Sequence, residues 1–190
     1  MTAEPAVFRR QVRQMPSPRT SDMMGGPAPI EIAAAMGKIP RGLFIMTAAH
    51  DQRRSGVLVK WVQRCSTQPP LLMVAVPKGQ PVEPLIRDSR GFALCQIAED
   101  DAFLFRKFAT PHDRTDDPFV ALDTRDGAYS APIIERAMSY LDCEVVRHLD
   151  LDADHRLYIG RIHAGEILHP AKPAVHWDEN GYPPARSSAG

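Results

Sequence analysis

The sequence predicts a mainly β protein, a β-barrel with helical additions, and three observations carry that reading. Short apolar stretches of strand composition recur along the chain, such as GLFIMTAA from Gly42 to Ala49 and GFALCQI from Gly91 to Ile97. The helical stretches between them are brief. Turn residues separate the successive stretches, which is the pattern of an antiparallel, closed or partly closed sheet rather than of alternating parallel units.

With 190 residues the chain is expected to form one domain, large enough to bury a core without disulfides or metal. Residues 1–27 mix Pro, Ser, Arg, Met and Gly without periodicity and read as a flexible extension. Residues 28–168 read as the folded domain. Residues 169–190 carry Pro170, Pro173, Pro183 and Pro184 and read as an extended tail.

Within the domain, Pro29 to Met36 predicts a short helix with an apolar face of Ile30, Ala33 and Ala34 and a stop at Gly37. Gly42 to Ala49 predicts a strand, which a polar turn from His50 to Ser55 folds back onto a second strand from Gly56. Lys60 to Ser66 is expected to be irregular, and Pro70 to Val76 a strand covered on both faces. Val82 to Asp88 predicts a helical turn or two, and Gly91 to Ile97 a further strand. Asp100 or Asp101 is placed to cap a helix whose stripe is Phe103, Leu104 and Phe108. Ala109 to Gly127 is a long charged connection, of the kind that forms a lid, an interface arm or an insertion. Pro132 to Leu141 reads as a short helix leading into a strand from Cys143 to Leu149. A turn at Asp150 to Asp154 joins this strand to Arg156 to Leu168 in an antiparallel hairpin.

Composition excludes several classes of function. Twenty-three basic and 23 acidic residues cancel, so there is no electrostatic case for nucleic acid or an anionic membrane as the main partner. No apolar run approaches the roughly 20 residues of a membrane span. Cys65, Cys95 and Cys143 are scattered in apolar settings and read as reduced, buried thiols, which makes the cytoplasm the expected location. No C-x-x-C pair, G-x-G-x-x-G, phosphate loop, G-x-S-x-G or H-E-x-x-H occurs, so no metal site is predicted.

The most informative stretch is GVLVKWVQRCSTQPPLLMVAV, from Gly56 to Val76. It confines a large aromatic, a cation and polar side chains between two apolar strands, and a flat anionic ligand suits that arrangement best. Taken singly, the same residues have plainer readings. Trp61 suits a core or an interface, Lys60 and Arg64 suit a solvated loop, and His155 suits an acidic surface turn.

In Trp61, Val62, Ser66, Pro69 and Pro70 this stretch resembles the flavin reductase-like, FMN-binding split-barrel family, especially its flavoredoxin-like branch. Lys60 stands where that family carries a small hydroxyl residue, and Arg64 where it carries an amide. The resemblance runs from about Ile39 to Ile167 and takes in Ile39-Pro40-x-Gly42, Gly91 to Cys95, and Leu141-x-Cys143-Glu144-Val145. It ends on Asp154-His155 followed by Tyr158-Ile159-Gly160-Arg161-Ile162.

The resemblance implies a split β-barrel, a homodimer with FMN near the subunit interface, and NADH or NADPH as electron donor. Electrons would pass to free flavin, a monooxygenase partner or a small acceptor. It implies that Val59, Trp61 and Val62 supply backbone and wall for the flavin, and that Lys60, Gln63, Arg64 and Ser66 supply its polar contacts. It places flavin phosphate contacts in the turn holding Lys78 and Gln80, ahead of a helix. Thr47 at a strand end and Lys107 in a Lys-Phe pair would border the cofactor. His155 would lie near the flavin's exposed face, for donor binding or proton handling. Two other classes remain open: an FMN-binding electron-transfer protein without its own NAD(P)H site, and a non-enzymatic barrel in which Lys60 and Arg64 serve another anionic ligand.

Overall fold

The computed structural model describes residues 30–110 and 116–176. The expected extension 1–27 and residues 177–190 of the expected tail lie outside the described residues. Helix α1 (Ile30–Gly37) opens the described chain, and the two-residue strand β1 (Arg41–Gly42) follows it. Strand β2 (Phe44–His50) and strand β3 (Arg53–Val59) form a hairpin. Its turn is shorter than expected, because Asp51 takes the left-handed conformation at φ 54° that an aspartate tolerates.

The sequence reading is corrected at the next element. Trp61–Ser66 is a regular strand, β4, and not an irregular passage. It pairs with β5 (Leu71–Pro77), with Trp61 opposite Ala75 and Gln63 opposite Met73. Pairing with an apolar neighbour overrides the polar composition, since an edge strand needs only part of its surface covered. Helix α2 (Val82–Ser89) leads to β6 (Gly91–Gln96), and helix α3 (Ala102–Ala109) is capped by Asp101, which accepts from the Phe103 and Leu104 amides.

Two further corrections follow α3. The connection expected to be unstructured contains β7 (Thr124–Asp126), and the stretch expected to be helical contains β8 (Pro132–Ile134), which pairs with it. Ala131 to Ile134 are all buried, so this run needs cover on both faces; a strand with proline at its start meets that need. The long hairpin of β9 (Ser139–Asp150) and β10 (His155–Ile167) is as expected, with β9 starting earlier. The tail is an extended strap as far as residue 176, yet it also ends in a two-residue strand, β11 (Val175–His176), paired with β1.

The main sheet runs β3-β2-β6-β9-β10-β5-β4. Its two edge strands, β3 and β4, are separated in the chain by Lys60 alone, so the sheet must curl until its edges approach each other. That seam is the split in the barrel. The interior is filled by Met46, Val59, Val74, Phe92, Leu94 and Cys143, and α2 closes it with Val82, Leu85 and Ile86. Burying one such Val, Leu or Phe contributes about 1.5–3 kcal/mol. Gly160 permits this packing, because a Cβ there would lie 2.5 Å from Phe92 Cζ.

A second cluster lies outside the sheet, where Leu104 and Phe108 of α3 and Phe119 cover Ile45 and Cys95. Phe103, expected in the same stripe, is instead exposed. Cys95 and Cys143 are buried, and burial pushes both thiols up to about 12. Cys65, expected to be buried, is exposed on β4.

Candidate functional site

The outer face of the β4-β5-β10 ribbon brings Trp61 and His155 together. Trp61 is opposite Ala75, Ala75 is opposite Leu157, and His155 is two residues along β10 from Leu157. Period-two alternation therefore puts the indole and the imidazole on one face, diagonal to each other. Their ring centroids are 4.4 Å apart at an interplanar angle of 39°. Both are half-buried. His155 Nδ1 is 2.8 Å from Asp154 Oδ1, close enough for an ion pair when the ring is protonated but off the line of a hydrogen bond.

Beside Trp61 opens a cleft of about 270 Å³, lined by Met36 and Ile39 from the α1 end of the chain, by Arg41 of β1, and by the indole itself. Three of its four lining side chains are apolar, and Met36 and Ile39 are exposed. Arg41 is buried, with a backbone fixed by pairing to His176. The sequence reading did not nominate Arg41, Met36 or Ile39 as site residues. An arginine between apolar residues and a strand-opening glycine, in Ile39-Pro40-Arg41-Gly42, was the available signal.

Along β4, away from Trp61, the side chains of Gln63 and Arg64 are exposed and make no hydrogen bond or ion pair among the described residues. A register shift between Arg64 and Ser66 leaves Cys65 without a partner residue across the ladder, and bulges of this kind re-aim side chains at strand edges. Lys60 sits half-buried at the crossing from β3 to β4, and Val62 packs against the interior core. Val59 is also in that core, so only its backbone can face a ligand.

The structure gives other expected site residues different surroundings. Thr47 is fully buried, and its hydroxyl donates to the Pro132 carbonyl at 2.6 Å, which fastens β8 onto β2. Lys107 of α3 donates to the Val120 carbonyl at 3.0 Å, and no contact among the described residues joins it to Trp61 or His155. Lys78 Nζ is 2.6 Å from Asp150 Oδ1 and donates to the Leu151 carbonyl at 2.8 Å. Gln80 is half-buried in the turn before α2.

That turn is closed by Glu83, a residue missed in the sequence. Its Oε2 accepts from the Gly79 amide at 2.6 Å, and its Oε1 accepts from Arg156 Nη1 at 2.7 Å and from the Tyr158 hydroxyl at 3.3 Å. The chain's own carboxylate thus takes the Gly79 amide, in the turn that holds Lys78 and Gln80. An acid in the first helical turn, three residues after Gln80, was the signal. Among the described residues, no group of three His, Cys, Asp or Glu side chains could hold a metal ion. No helix there is long and apolar enough to cross a membrane.

A curled seven-stranded sheet, plugged by one helix and carrying an aromatic cleft on its outer face, is the flavin reductase split-barrel fold. The family model for the flavin reductase like domain matches residues 36–185, and the chain belongs to that family. The described structure is similar to the NADH:FAD oxidoreductase of Streptomyces globisporus C-1027, with a TM-score of 0.71 at 20% identity over 79% of this chain and 89% of that one. It is also similar to the styrene monooxygenase flavin reductase of Pseudomonas putida S12, with a TM-score of 0.64 at 21% identity over 77% of this chain and 91% of that one. In sequence it is 28% identical to diflavin flavoprotein A 1 of Synechocystis sp. over 138 residues, 72% of this chain and 24% of that protein. The chain therefore spans about a quarter of the length of the curated relatives it matches.

Proposed function

We propose that this chain is an FMN-dependent flavin reductase-like oxidoreductase that takes electrons from NADH or NADPH and passes them to free flavin, a monooxygenase partner or a small acceptor. The observation that carries the proposal is the Trp61–His155 pair beside an apolar cleft, with an Arg64 side chain on the same strand that has no partner among the described residues. The donor set suits FMN in kind. Met36, Ile39 and Trp61 offer an apolar wall to a tricyclic ring, and Gln63 and Arg64 offer an amide and a guanidinium to a phosphate.

Flavin, when bound, supplies two-electron redox chemistry that no side chain of this cleft has. The chain's own part is position, charge and exclusion of water. Trp61 and Ile39 would cover the ring's apolar surface, Arg64 would answer the phosphate charge, and His155 is placed to hold a proton at Nδ1 or Nε2 or to receive the nicotinamide. Since Met36 and Ile39 are exposed where they line the cleft, a second copy of the chain is the natural cover, which supports a homodimer with the site at its seam.

The test is an absorbance spectrum of the purified chain after FMN addition, followed by anaerobic titration with NADH and NADPH. A bound flavin that bleaches with either donor is expected. A colourless protein would overturn the proposal, and bound flavin that neither donor reduces would reassign the chain to electron transfer alone.

A further inference from the structure

We propose that the groove between α2 and the β9–β10 hairpin is a second binding site, for a phosphate monoester of mononucleotide size. This inference does not depend on the flavin reading. The groove encloses about 370 Å³ and is lined by Arg87, Arg90, His148, Arg156 and Tyr158, with Glu83 as its acidic member. It is distinct from the cleft beside Trp61. Arg156 and Tyr158 alternate with His155 along β10, and Tyr158 belongs to the barrel's interior cluster, so they face the α2 side of the sheet while His155 faces away.

Most charge in the groove is already answered. Arg87 Nε pairs with Asp88 at 2.7 Å, and the Arg156 Nη groups donate to Glu83 and Asp150 at 2.7 Å each. Two things are left over. Arg90 has no side-chain partner among the described residues, and the buried Nε of Arg156 has no acceptor. A buried donor without a partner is unfavourable until something accepts from it.

Arg90 is also held firmly in place. Its amide donates to the Ile86 carbonyl at 3.0 Å, and its carbonyl accepts from the Val145 amide at 2.8 Å. It ends α2 in the left-handed conformation, φ 62°, where glycine is the unstrained choice. The chain places a guanidinium there instead, at the mouth of the groove. An ester oxygen bound between Arg90 and Arg156 Nε would satisfy both. The remaining wall is apolar, and the tilted His148–Tyr158 pair, 6.4 Å between centroids, offers aromatic surface to the body of the ester.

Isothermal titration of the full chain at low salt, with AMP, inorganic phosphate and adenosine as probes, tests the proposal. AMP is expected to bind, inorganic phosphate to compete with it, and adenosine to compete poorly. Arg90→Asn, which keeps a residue tolerant of the left-handed conformation, is expected to weaken AMP binding at least tenfold with the unfolding midpoint retained. His148→Ala should weaken it severalfold. Adenosine binding as tightly as AMP, unchanged AMP affinity in Arg90→Asn, or no AMP binding at millimolar concentration would each overturn the site. Loss of AMP binding in Trp61→Ala would also do so, by moving AMP to the cleft beside Trp61.

Discussion

Strand β5 separates two polar regions that the sequence makes look alike and the structure makes opposite. On one side, β4 presents Gln63 and Arg64 to solvent with no partner among the described residues. At the far end of β5, the turn before α2 and the turn end of the β9–β10 hairpin gather Lys78, Glu83, Asp150, Arg156 and Tyr158 into one network, which among the described residues leaves open only Arg156 Nε, at the edge of the groove that holds Arg90. The lesson is that a cluster of charge is not by itself a site. Where each charge has found another within the chain, the cluster holds the fold together; where the charges are left open, they are free to recognise something else.

The comparison is broken most severely by removing the acid that closes the corner. Glu83→Ala removes the acceptor of the Gly79 amide, the Tyr158 hydroxyl and one Arg156 Nη group, and is expected to destabilise the chain by about 2–3 kcal/mol. Chemical denaturation followed by far-UV circular dichroism measures it. Arg64→Glu in the same assay should stay within about 0.5 kcal/mol of the parent, as an exposed substitution does. Equal losses in the two variants would erase the distinction between the regions.

Flavin affinity should sort the same residues the other way round. Arg64→Glu is expected to weaken FMN binding by about 1.5–3 kcal/mol, the worth of a hydrogen bond to a charged group. Lys60→Ala should act in the same direction. Lys78→Ala, whose ammonium is already held by Asp150, should change FMN affinity by less than about 0.5 kcal/mol. Fluorescence titration of FMN gives all three values. A larger loss from Lys78 than from Arg64 would move the phosphate back to the turn before α2.

A smaller effect separates binding from turnover. His155→Asn is expected to lower kcat/KM for the nicotinamide donor roughly tenfold while leaving FMN affinity unchanged. Steady-state oxidation of NADH and NADPH with free FMN as acceptor measures it. Parallel loss of FMN affinity would make His155 a wall of the flavin site through its packing on Trp61, rather than a group that serves the donor.

Much of this architecture was legible in the residues. The strands at β2, β5, β6 and β10, the Asp101 cap and the Trp61 stretch are written in local apolar runs and turn chemistry. What failed was decided by pairing across the fold. Trp61–Ser66 is a strand because β5 is beside it, and Pro132–Ile134 is one because two clusters bury it. The site was half legible for the same reason. Trp61 and His155 could be nominated singly, but their contact depends on β4 and β10 both pairing with β5. Arg41 lines the cleft through its own strand, and the partners of Lys78 and Thr47, Asp150 and Pro132, are distant in sequence.

The gentlest probe of the closed corner is acid. Hydrogen bonds from Lys78 and then Arg156 hold the Asp150 carboxyl down at about 2, against an ordinary value of 3.8. A carboxylate depressed in the folded state contributes stability that is complete above its unfolded value. It is lost as pH falls through the folded one, so the window lies between about pH 4 and about pH 2. Asp150 is solvent-exposed, so the contribution is modest and screened by salt. Asp150→Asn should lie below the parent in urea midpoint near neutral pH and converge on it toward about pH 2. Parallel curves across that window would mean that Lys78 and Arg156 hold the corner through Glu83 and backbone carbonyls, with Asp150 a bystander.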